Sequence, residues 1–273
     1  MKILVRLVVI LLVLGTGTVV LGNLAERWVI YPFDARAVAP ADVGLNAIEA
    51  RKITSDGADL VVWVAEPKRG KPVILYFHGN AGNLANRKGR FKHFLDRGYG
   101  LVAPAYRGSS GSSGTPSEDA LIADAVTVHQ ALRLKDKPIA AYGESLGTAV
   151  VLGLLEALPE DARPQAVILE APFTSIPALA EQHYPGTGEL AEKIENTWRS
   201  FERAEALTMP LLILHGTRDD LIPIDMGRQI FAAAPSKEKD FHTVKGAGHT
   251  DLWRSGTMAR MWRFIDAYAL DLR

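Results

Sequence analysis

The pentapeptide GESLG at residues 143–147 constrains the fold of this chain more than any other segment. A short apolar run, residues 138–142, comes directly before it, and a stretch with helical character, residues 148–157, follows it. A G-x-S-x-G sequence between a strand and a helix is typical of a nucleophile elbow, a sharp turn that exposes a serine hydroxyl. Glycines suit the flanking positions because a side chain there would collide with the neighbouring strand and helix. The pattern predicts Ser145 as a nucleophile, and the alternative is an ordinary Gly/Ser turn.

A serine hydroxyl becomes a useful nucleophile only when a base accepts its proton and an acid orients that base. In this type of turn the acid follows the serine in the chain, and the histidine comes last. Two acids, Asp219 and Asp220, come shortly after the apolar run 209–214, and His249 ends a small-residue loop before the helix-like residues 252–269. Each could instead be a turn, cap or solvated residue. Their order, and their positions after predicted strands, favour a Ser-His-Asp triad.

Acyl transfer also needs hydrogen-bond donors aimed at the oxygen on which negative charge develops. The backbone N–H of Leu146, next after the serine, is one predicted donor. The second is expected from the loop after the apolar run 72–77, where we assign it to the backbone of Asn80, with Gly79 as the alternative. We expect His78 to hold this loop by hydrogen bonds rather than to act as a base.

Five short motifs of the chain resemble those of the α/β-hydrolase superfamily: YFHGNAGN at 76–83, AYRG at 105–108, GESLG at 143–147, HGTRDD at 215–220 and GAGH at 246–249. More narrowly, they are similar to the membrane-anchored α/β-hydrolase domain-containing serine hydrolases with an HGNAGN loop, close to the serine-aminopeptidase-like group. The resemblance extends from about Thr54 to the C-terminus. The chain departs from the usual form at Ser109-Ser110, where an aromatic-glycine pair is more common.

The resemblance implies an α/β-hydrolase fold, in which a mostly parallel central sheet is flanked by helices. It also implies a role for each member of the triad. Ser145 matches the family's nucleophile, Asp219 its acid and His249 its base.

From residue 45 onward, short apolar runs alternate with helical patterns, which predicts βαβ units and a mostly parallel sheet. Residues 45–273 are therefore expected to form one catalytic domain, with functional residues at the carboxyl ends of strands. Residues 173–207 break the alternation and are predicted to be a lid-like insertion, with Trp198 and Phe201 lining a pocket. The alternative for this insertion is an ordinary pair of surface helices. The Gly/Ser loop at 108–114 is expected to be mobile.

The first 24 residues have the character of a membrane-directed segment. Lys2 and Arg6 precede an apolar run, so residues 1–24 are predicted to be a signal anchor or a cleaved signal peptide. The basic flank predicts a catalytic domain on the non-cytoplasmic side, periplasmic or extracytoplasmic, and secreted if the segment is cleaved. Residues 25–44 are expected to connect this segment to the catalytic domain. Three aromatic residues of that connection suit a membrane–water interface, or pack on the domain: Trp28, Tyr31 and Phe33.

Composition excludes several classes of function. The chain has 31 basic and 31 acidic residues and no basic patch, so nucleic acid is not an expected partner. It has no cysteine, which rules out disulfides and a thiol nucleophile. Its seven histidines do not follow a metal-ligand spacing, so neither a metal nor a cofactor is expected.

The residues together predict a membrane-associated serine hydrolase that cleaves an ester or thioester with an apolar, lipid-like acyl group through an acyl-enzyme. This makes it carboxylesterase-, thioesterase- or lipase-like. One alternative is a peptidase on the same triad. An aminopeptidase would need an acidic group for the substrate amine, such as Glu144 or Glu170. The other alternative is a non-catalytic hydrolase-fold binding protein tethered to the membrane.

Overall fold

The computed structural model describes residues 26–269 of the chain. The predicted anchor or signal peptide, residues 1–24, lies outside this range. Within the range, no helix combines the length and apolar character needed to cross a bilayer.

Residues 26–269 form an eight-stranded sheet. In chain order its strands are β1 (Glu49–Ser55), β2 (Ala58–Ala65), β3 (Val73–Phe77), β4 (Gly100–Pro104), β5 (Ile139–Glu144), β6 (Ala166–Glu170), β7 (Leu211–Gly216) and β8 (Lys239–Val244). The spatial order is β1-β2-β4-β3-β5-β6-β7-β8, with β2 antiparallel to both β1 and β4 and all other pairs parallel. This is the predicted α/β-hydrolase fold with a mostly parallel sheet.

Helices cover both faces of the sheet. They are α1 (Lys88–Asp96), α2 (Glu118–Ala131), α3 (Leu146–Ala157), α4 (Ile176–His183), α5 (Gly188–Ala191), α6 (Ile224–Ala233) and α7 (Ser255–Tyr268). Short 3-10 turns lie at Pro40–Val43, Leu84–Arg87, Leu134–Asp136, Glu160–Ala162 and Glu202–Ala206. The helices α2, α3 and α6 share one apolar cluster with the sheet, and α1 and α7 share the other. Because both faces are covered, the strands β3, β4 and β6 are buried along their whole length.

The apolar runs 72–77, 138–142 and 209–214 coincide with β3, β5 and β7. Two further strands, β1 and β8, were not predicted, because they lie at the sheet edges and carry charged, half-exposed residues. Strand β2 is mostly buried between β1 and β4.

The segment before β1 is part of the domain rather than a free connection. Residues 26–30 are helical, and Ile30 and Tyr31 are buried in the main core. The Tyr31 hydroxyl donates to Asn196 Oδ1 over 2.9 Å, and the backbone N–H of Asp34 donates to Gly82 O over 3.0 Å. Of the three aromatic residues considered for a membrane interface, Tyr31 and Phe33 pack on the domain, whereas Trp28 is 81% exposed.

In the insertion between β6 and β7, the expectation for the two aromatic residues was wrong. The Trp198 side chain is fully buried in the core, where its Nε1–H donates to the Tyr31 hydroxyl over 2.9 Å. Phe201 is half-exposed, and neither residue lines the pocket beside the nucleophile elbow. The buried indole, with its N–H hydrogen-bonded, attaches the insertion to the core of the domain. The helix α4 supplies the pocket wall instead.

The Gly/Ser loop at 108–114 is packed, which contradicts the predicted mobility. Its serine hydroxyls accept hydrogen bonds from backbone N–H groups of two separate segments, strand β2 and the 3-10 turn Leu84–Arg87. Ser110 accepts from Leu84, Ser112 from Val61 and Ser113 from Asp59, over 2.8 to 3.0 Å.

Candidate active site

The turn between β5 and α3 has the geometry of a nucleophile elbow. Ser145 has φ 51° and ψ −115°, a backbone conformation that is strained for any residue other than glycine. A Cβ on Gly147 would lie 2.1 Å from the Phe77 carbonyl oxygen in β3, and one on Gly143 would lie 2.6 Å from the Gly147 carbonyl oxygen. The predicted reason for both glycines is therefore confirmed.

The structure brings Ser145, His249 and Asp219 into one hydrogen-bonded chain. The Ser145 Oγ lies 3.1 Å from His249 Nε2, and His249 Nδ1 lies 2.9 Å from Asp219 Oδ2. With its proton on Nδ1, the imidazole donates to Asp219 and accepts from the Ser145 hydroxyl. Ser145 follows β5, Asp219 follows β7 and His249 follows β8, so the carboxyl ends of three parallel strands of the sheet place the side chains together. The neighbouring acid, Asp220, is exposed.

Two backbone N–H groups hold the Asp219 carboxylate in this orientation. Leu221 and Ile222 donate to its Oδ1 over 3.0 and 2.8 Å, which leaves Oδ2 for the imidazole. Burial raises the pKa of Asp219, but the hydrogen bonds from His249 and Ile222 outweigh burial and lower it overall. The carboxylate is therefore ionised at neutral pH, as an orienting acid must be.

The loop after β3 lies beside the elbow, and Asn80 lines the same pocket as Ser145 and Leu146. In the part of the chain that the structure describes, the backbone N–H groups of Asn80 and Leu146 have no hydrogen-bond acceptor. The Asn80 side chain donates to Ile30 O over 3.2 Å.

His78 supports this loop from within. Its Nδ1–H donates to Gly79 O over 2.7 Å, and its own carbonyl accepts from the Tyr106 hydroxyl over 2.8 Å. Burial lowers the pKa of His78 to about 3, so its ring is neutral. These contacts agree with the expected structural role.

The Ser145 hydroxyl opens onto an apolar pocket of about 360 Å³. Helix α4 forms much of its wall, together with the segment before β1 and the turn after Asp219. Among residues 26–269, no acidic or basic side chain lines it apart from the imidazole of His183. The lining residues are Val29, Ile30, Asn80, Ser145, Leu146, Phe173, Ile176, Leu179, Ala180, His183, Tyr184, Leu221 and Ile222.

The two glutamates considered for an aminopeptidase do not line this pocket. Glu144 and Glu170 are paired in register on β5 and β6, and arginines satisfy both. Arg87 and Arg90 contact Glu144 at 3.2 and 3.6 Å, and Arg90 contacts Glu170 at 2.6 Å. Burial raises the pKa of Glu144, but the charges of Arg90 and Arg87 lower it to about 2. Neither carboxylate is free to receive a substrate amine.

The fold, and the arrangement of serine, aspartate and histidine after the parallel strands β5, β7 and β8, define an α/β-hydrolase. The sequence profile of the family described as "Serine aminopeptidase, S33" matches residues 68–200 and 188–253. The chain therefore belongs to this family of serine hydrolases, which confirms the predicted superfamily and enzyme class.

Characterised and uncharacterised proteins are similar to the chain. Lysophosphatidylserine lipase ABHD12 of Rattus norvegicus is 34% identical over 218 residues, covering 70% of this chain and 55% of the relative. The Gallus gallus protein of the same name is 34% identical over 218 residues, and 57% of it is covered. An uncharacterized protein of Mycobacterium tuberculosis is 33% identical over 204 residues, covering 72% of this chain and 70% of that protein. The chain spans about half the length of the ABHD12 relatives.

Solved structures share the fold. The Pyrococcus furiosus esterase Pf2001 superposes with a TM-score of 0.69 at 18% identity, over 87% of this chain and 96% of the esterase. A puromycin-hydrolyzing peptidase of Mycobacterium tuberculosis superposes with a TM-score of 0.64 at 20% identity, over 81% of this chain and 39% of the peptidase. At these identities the similarity defines the fold alone, since one fold hosts many activities.

Proposed function

We propose that this protein hydrolyses a carboxylic ester or thioester of a lipid-like substrate through an acyl-enzyme. One observation carries the proposal: the hydrogen-bonded chain Ser145–His249–Asp219 opens onto a pocket whose walls are apolar. A hydroxyl activated in this way suits attack on a carbonyl carbon. An apolar pocket suits the acyl chain attached to that carbon.

The proposed reaction has two halves. Ser145 Oγ bonds to the carbonyl carbon while His249 Nε2 takes the hydroxyl proton, and the N–H groups of Asn80 and Leu146 bind the resulting oxyanion. The bond to the leaving group then breaks, and His249 returns the proton to the departing alcohol or thiol. Water next loses a proton to His249 and attacks the acyl carbon, which releases the carboxylic acid and restores the serine. Asp219 stabilises the imidazolium in both halves.

Ester or thioester cleavage is favoured over aminopeptidase chemistry by the charges around the site. The glutamates that could bind a substrate amine are engaged by Arg87 and Arg90 and do not line the pocket. The name of the ABHD12 relatives, lysophosphatidylserine lipase, describes a lipid ester substrate. A substrate with one apolar chain and a polar headgroup outside the pocket would match the uncharged walls. A non-catalytic binding role gives no reason for the three side chains to stand in hydrogen-bonding order.

The proposal includes a membrane location. Residues 1–24 would anchor the chain, with the catalytic domain on the non-cytoplasmic side. Trp28 and Val29, which follow closely in the chain, are 81% and 68% exposed, and Val29 is also part of the pocket wall. Exposed apolar side chains at the pocket mouth would ease the entry of a lipid chain.

The test is fluorophosphonate labelling followed by a panel of p-nitrophenyl esters from acetyl to medium chain length. We expect labelling of the wild type at Ser145, and kcat/KM that rises with chain length by up to ~0.8 kcal/mol per buried methylene. Leu179→Ala, in the pocket wall, should weaken this rise. Leu190→Ala, on α5 outside the pocket, is the matched control and should not weaken it. A flat profile with rapid cleavage of amino-acid amides would replace the proposal with a peptidase. No labelling and no turnover would favour a binding protein.

A further inference from the structure

We propose that Arg87 is a positioning residue that locks the loop carrying Asn80 to the nucleophile elbow, and so sets the geometry of the oxyanion hole. The inference rests on the proposed function of the site. Arg87 ends the 3-10 turn Leu84–Arg87 and is 9% exposed. Nothing in the sequence patterns singled it out.

On one side, the Arg87 guanidinium holds the loop after β3. Its Nη1–H donates to Ala81 O over 2.6 Å and to Asn83 O over 3.4 Å. These two carbonyls flank Gly82, which has a φ of 75°. The arginine thus holds the bend at Gly82, two residues beyond the Asn80 N–H proposed to bind the oxyanion.

On the other side, the same guanidinium holds the elbow. Its Nη2 lies 3.2 Å from Glu144 Oε1 and its Nε lies 3.3 Å from Glu144 Oε2, the fork-to-fork arrangement of a bidentate pair. Glu144 is the last residue of β5 and directly precedes Ser145. The planar guanidinium of Arg87 therefore connects the elbow that holds Ser145 with the loop that holds the Asn80 N–H.

The loop backbone also packs against this pair. A Cβ on Gly79 would lie 3.3 Å from Glu144 Oε1 and 3.4 Å from Arg87 Nη2. That spacing leaves little room, so a shift of the ion pair would displace the loop backbone. A small displacement of this loop would slow the proposed reaction, because a misplacement of about 1 Å in an active site can lower the rate about 10²-fold.

The Arg87–Glu144 pair is also connected to the loop that carries His249. The connection runs through Arg90, which lies 3.6 Å from Glu144. Arg90 donates to Glu170 Oε2 and Oε1 over 2.6 and 2.8 Å, and Trp253 Nε1–H donates to the same Glu170 Oε2 over 3.0 Å. Trp253 lies four residues beyond His249 in the chain. The Glu170 backbone carbonyl accepts from the Ser145 N–H over 2.9 Å. One ionic network thus contacts the oxyanion loop, the elbow and the histidine loop.

Stability alone is a weak reason for this network. Burying an ion pair costs desolvation that the charge attraction often only balances, and apolar replacements are frequently neutral or stabilising. An apolar cluster offers no directional bonds with which to place three loops, whereas the nitrogens of one guanidinium bond a carboxylate on one side and two carbonyls on the other. A lysine has a single ammonium and could not span both sides.

The test compares Arg87→Lys with a matched control, Arg107→Lys. Arg107 forms a similarly buried bidentate pair with Asp124, at 2.9 Å for both bonds, and neither residue lines the pocket. Both variants are measured for Tm, for kcat and KM on a medium-chain p-nitrophenyl ester, and for inhibition by an alkyl trifluoromethyl ketone and by the product fatty acid. The ketone adds reversibly to the serine and places a tetrahedral oxyanion in the hole, whereas the fatty acid forms no tetrahedral adduct and reports on ground-state binding in the pocket.

We expect Arg87→Lys to lower kcat by roughly 10- to 100-fold with KM unchanged. Inhibition by the ketone should weaken by the same factor, and inhibition by the fatty acid should not change. Both substitutions should lower Tm by similar amounts, but Arg107→Lys should leave kcat unchanged. Wild-type kcat in Arg87→Lys, or equal loss of kcat in both variants, would overturn the inference.

If Arg87→Lys does not fold, Glu144→Gln provides the same test from the other partner, because it keeps the shape and removes the charge. It should lower kcat and ketone affinity together, and unchanged values for both would refute the positioning role. A wild type that neither hydrolyses esters nor reacts with fluorophosphonate would instead refute the proposed function. The two failures are therefore distinguishable.

Discussion

Replacing Asp219 with asparagine changes one atom beside the imidazole, and the surrounding hydrogen bonds decide where that atom goes. The Leu221 and Ile222 N–H groups donate to Asp219 Oδ1. An asparagine must keep its carbonyl oxygen at that position, because a flipped amide would set an NH₂ group against two N–H donors. The amide NH₂ then faces His249 Nδ1, in place of Oδ2 at 2.9 Å.

An imidazole that accepts a hydrogen bond at Nδ1 must carry its proton on Nε2. In that tautomer Nε2 cannot take the Ser145 proton across the 3.1 Å contact. We therefore expect Asp219→Asn to lower kcat by roughly 10⁴, the loss found when a triad acid is neutralised and the tautomer reverses. The backbone hydrogen bonds survive, so Tm should change little.

The assay is kcat on a p-nitrophenyl ester for Asp219→Asn and for Asp220→Asn, with Tm measured for both. Asp220 is exposed, and its asparagine variant should retain nearly all activity. Nitrogen-15 NMR of the histidine side chains would report the expected tautomer change in Asp219→Asn. A greater loss in Asp220→Asn, or near-wild-type activity with the proton still on Nδ1 in Asp219→Asn, would refute this reasoning.

Three further predictions follow from the same structure. Ser145→Ala should lower kcat by roughly 10⁶ with no loss of fold in circular dichroism, and substantial remaining turnover would mean that another nucleophile acts. Deleting residues 1–24 should leave kcat/KM on a soluble ester unchanged. Deleting 1–44 should abolish activity and lower Tm by on the order of 10 °C, because Ile30 and Tyr31 leave the core. The pKa of Glu144, lowered from 4.5 to about 2, gives the carboxylate a stabilising effect that is complete above pH 4.5 and disappears as the pH falls toward 2. Glu144→Gln should therefore lose less Tm than wild type on acidification from neutral pH to pH 3, and parallel curves would contradict this.

The parts of the site that follow from the sequence are those encoded by short segments. GESLG between a strand and a helix predicts the elbow, and the end of each later strand predicts where an acid and a histidine stand. The family resemblance then selects Asp219 from the two adjacent acids. The structure agrees with that selection in distance and orientation.

The parts that could not be predicted depend on contacts between distant segments. Arg87 and Glu144 are 57 residues apart, and Trp198 meets Tyr31 across 167 residues. In both pairs, the sequence around one residue contains no pattern that predicts its contact with the other. Trp198 was expected to line a pocket because it lies in the predicted lid-like insertion. Its burial is favourable instead because the Tyr31 hydroxyl accepts the indole N–H. The strands β1 and β8 escaped prediction for a different reason, because edge strands with exposed charges lack the apolar run that identifies a buried strand.

At Ser145, backbone stability and the proposed reaction favour different residues. The positive φ favours glycine, whereas the proposed reaction needs a serine hydroxyl. Holding a side chain in that conformation costs about 1–3 kcal/mol, which a glycine would not incur. Ser145→Gly should therefore unfold at a higher temperature than Ser145→Ala, although both lack the hydroxyl. By this reasoning, the sequence that best satisfies the backbone at position 145 is one that has no nucleophile. The protein keeps its reactive group only because the rest of the domain is stable enough to hold that turn in place.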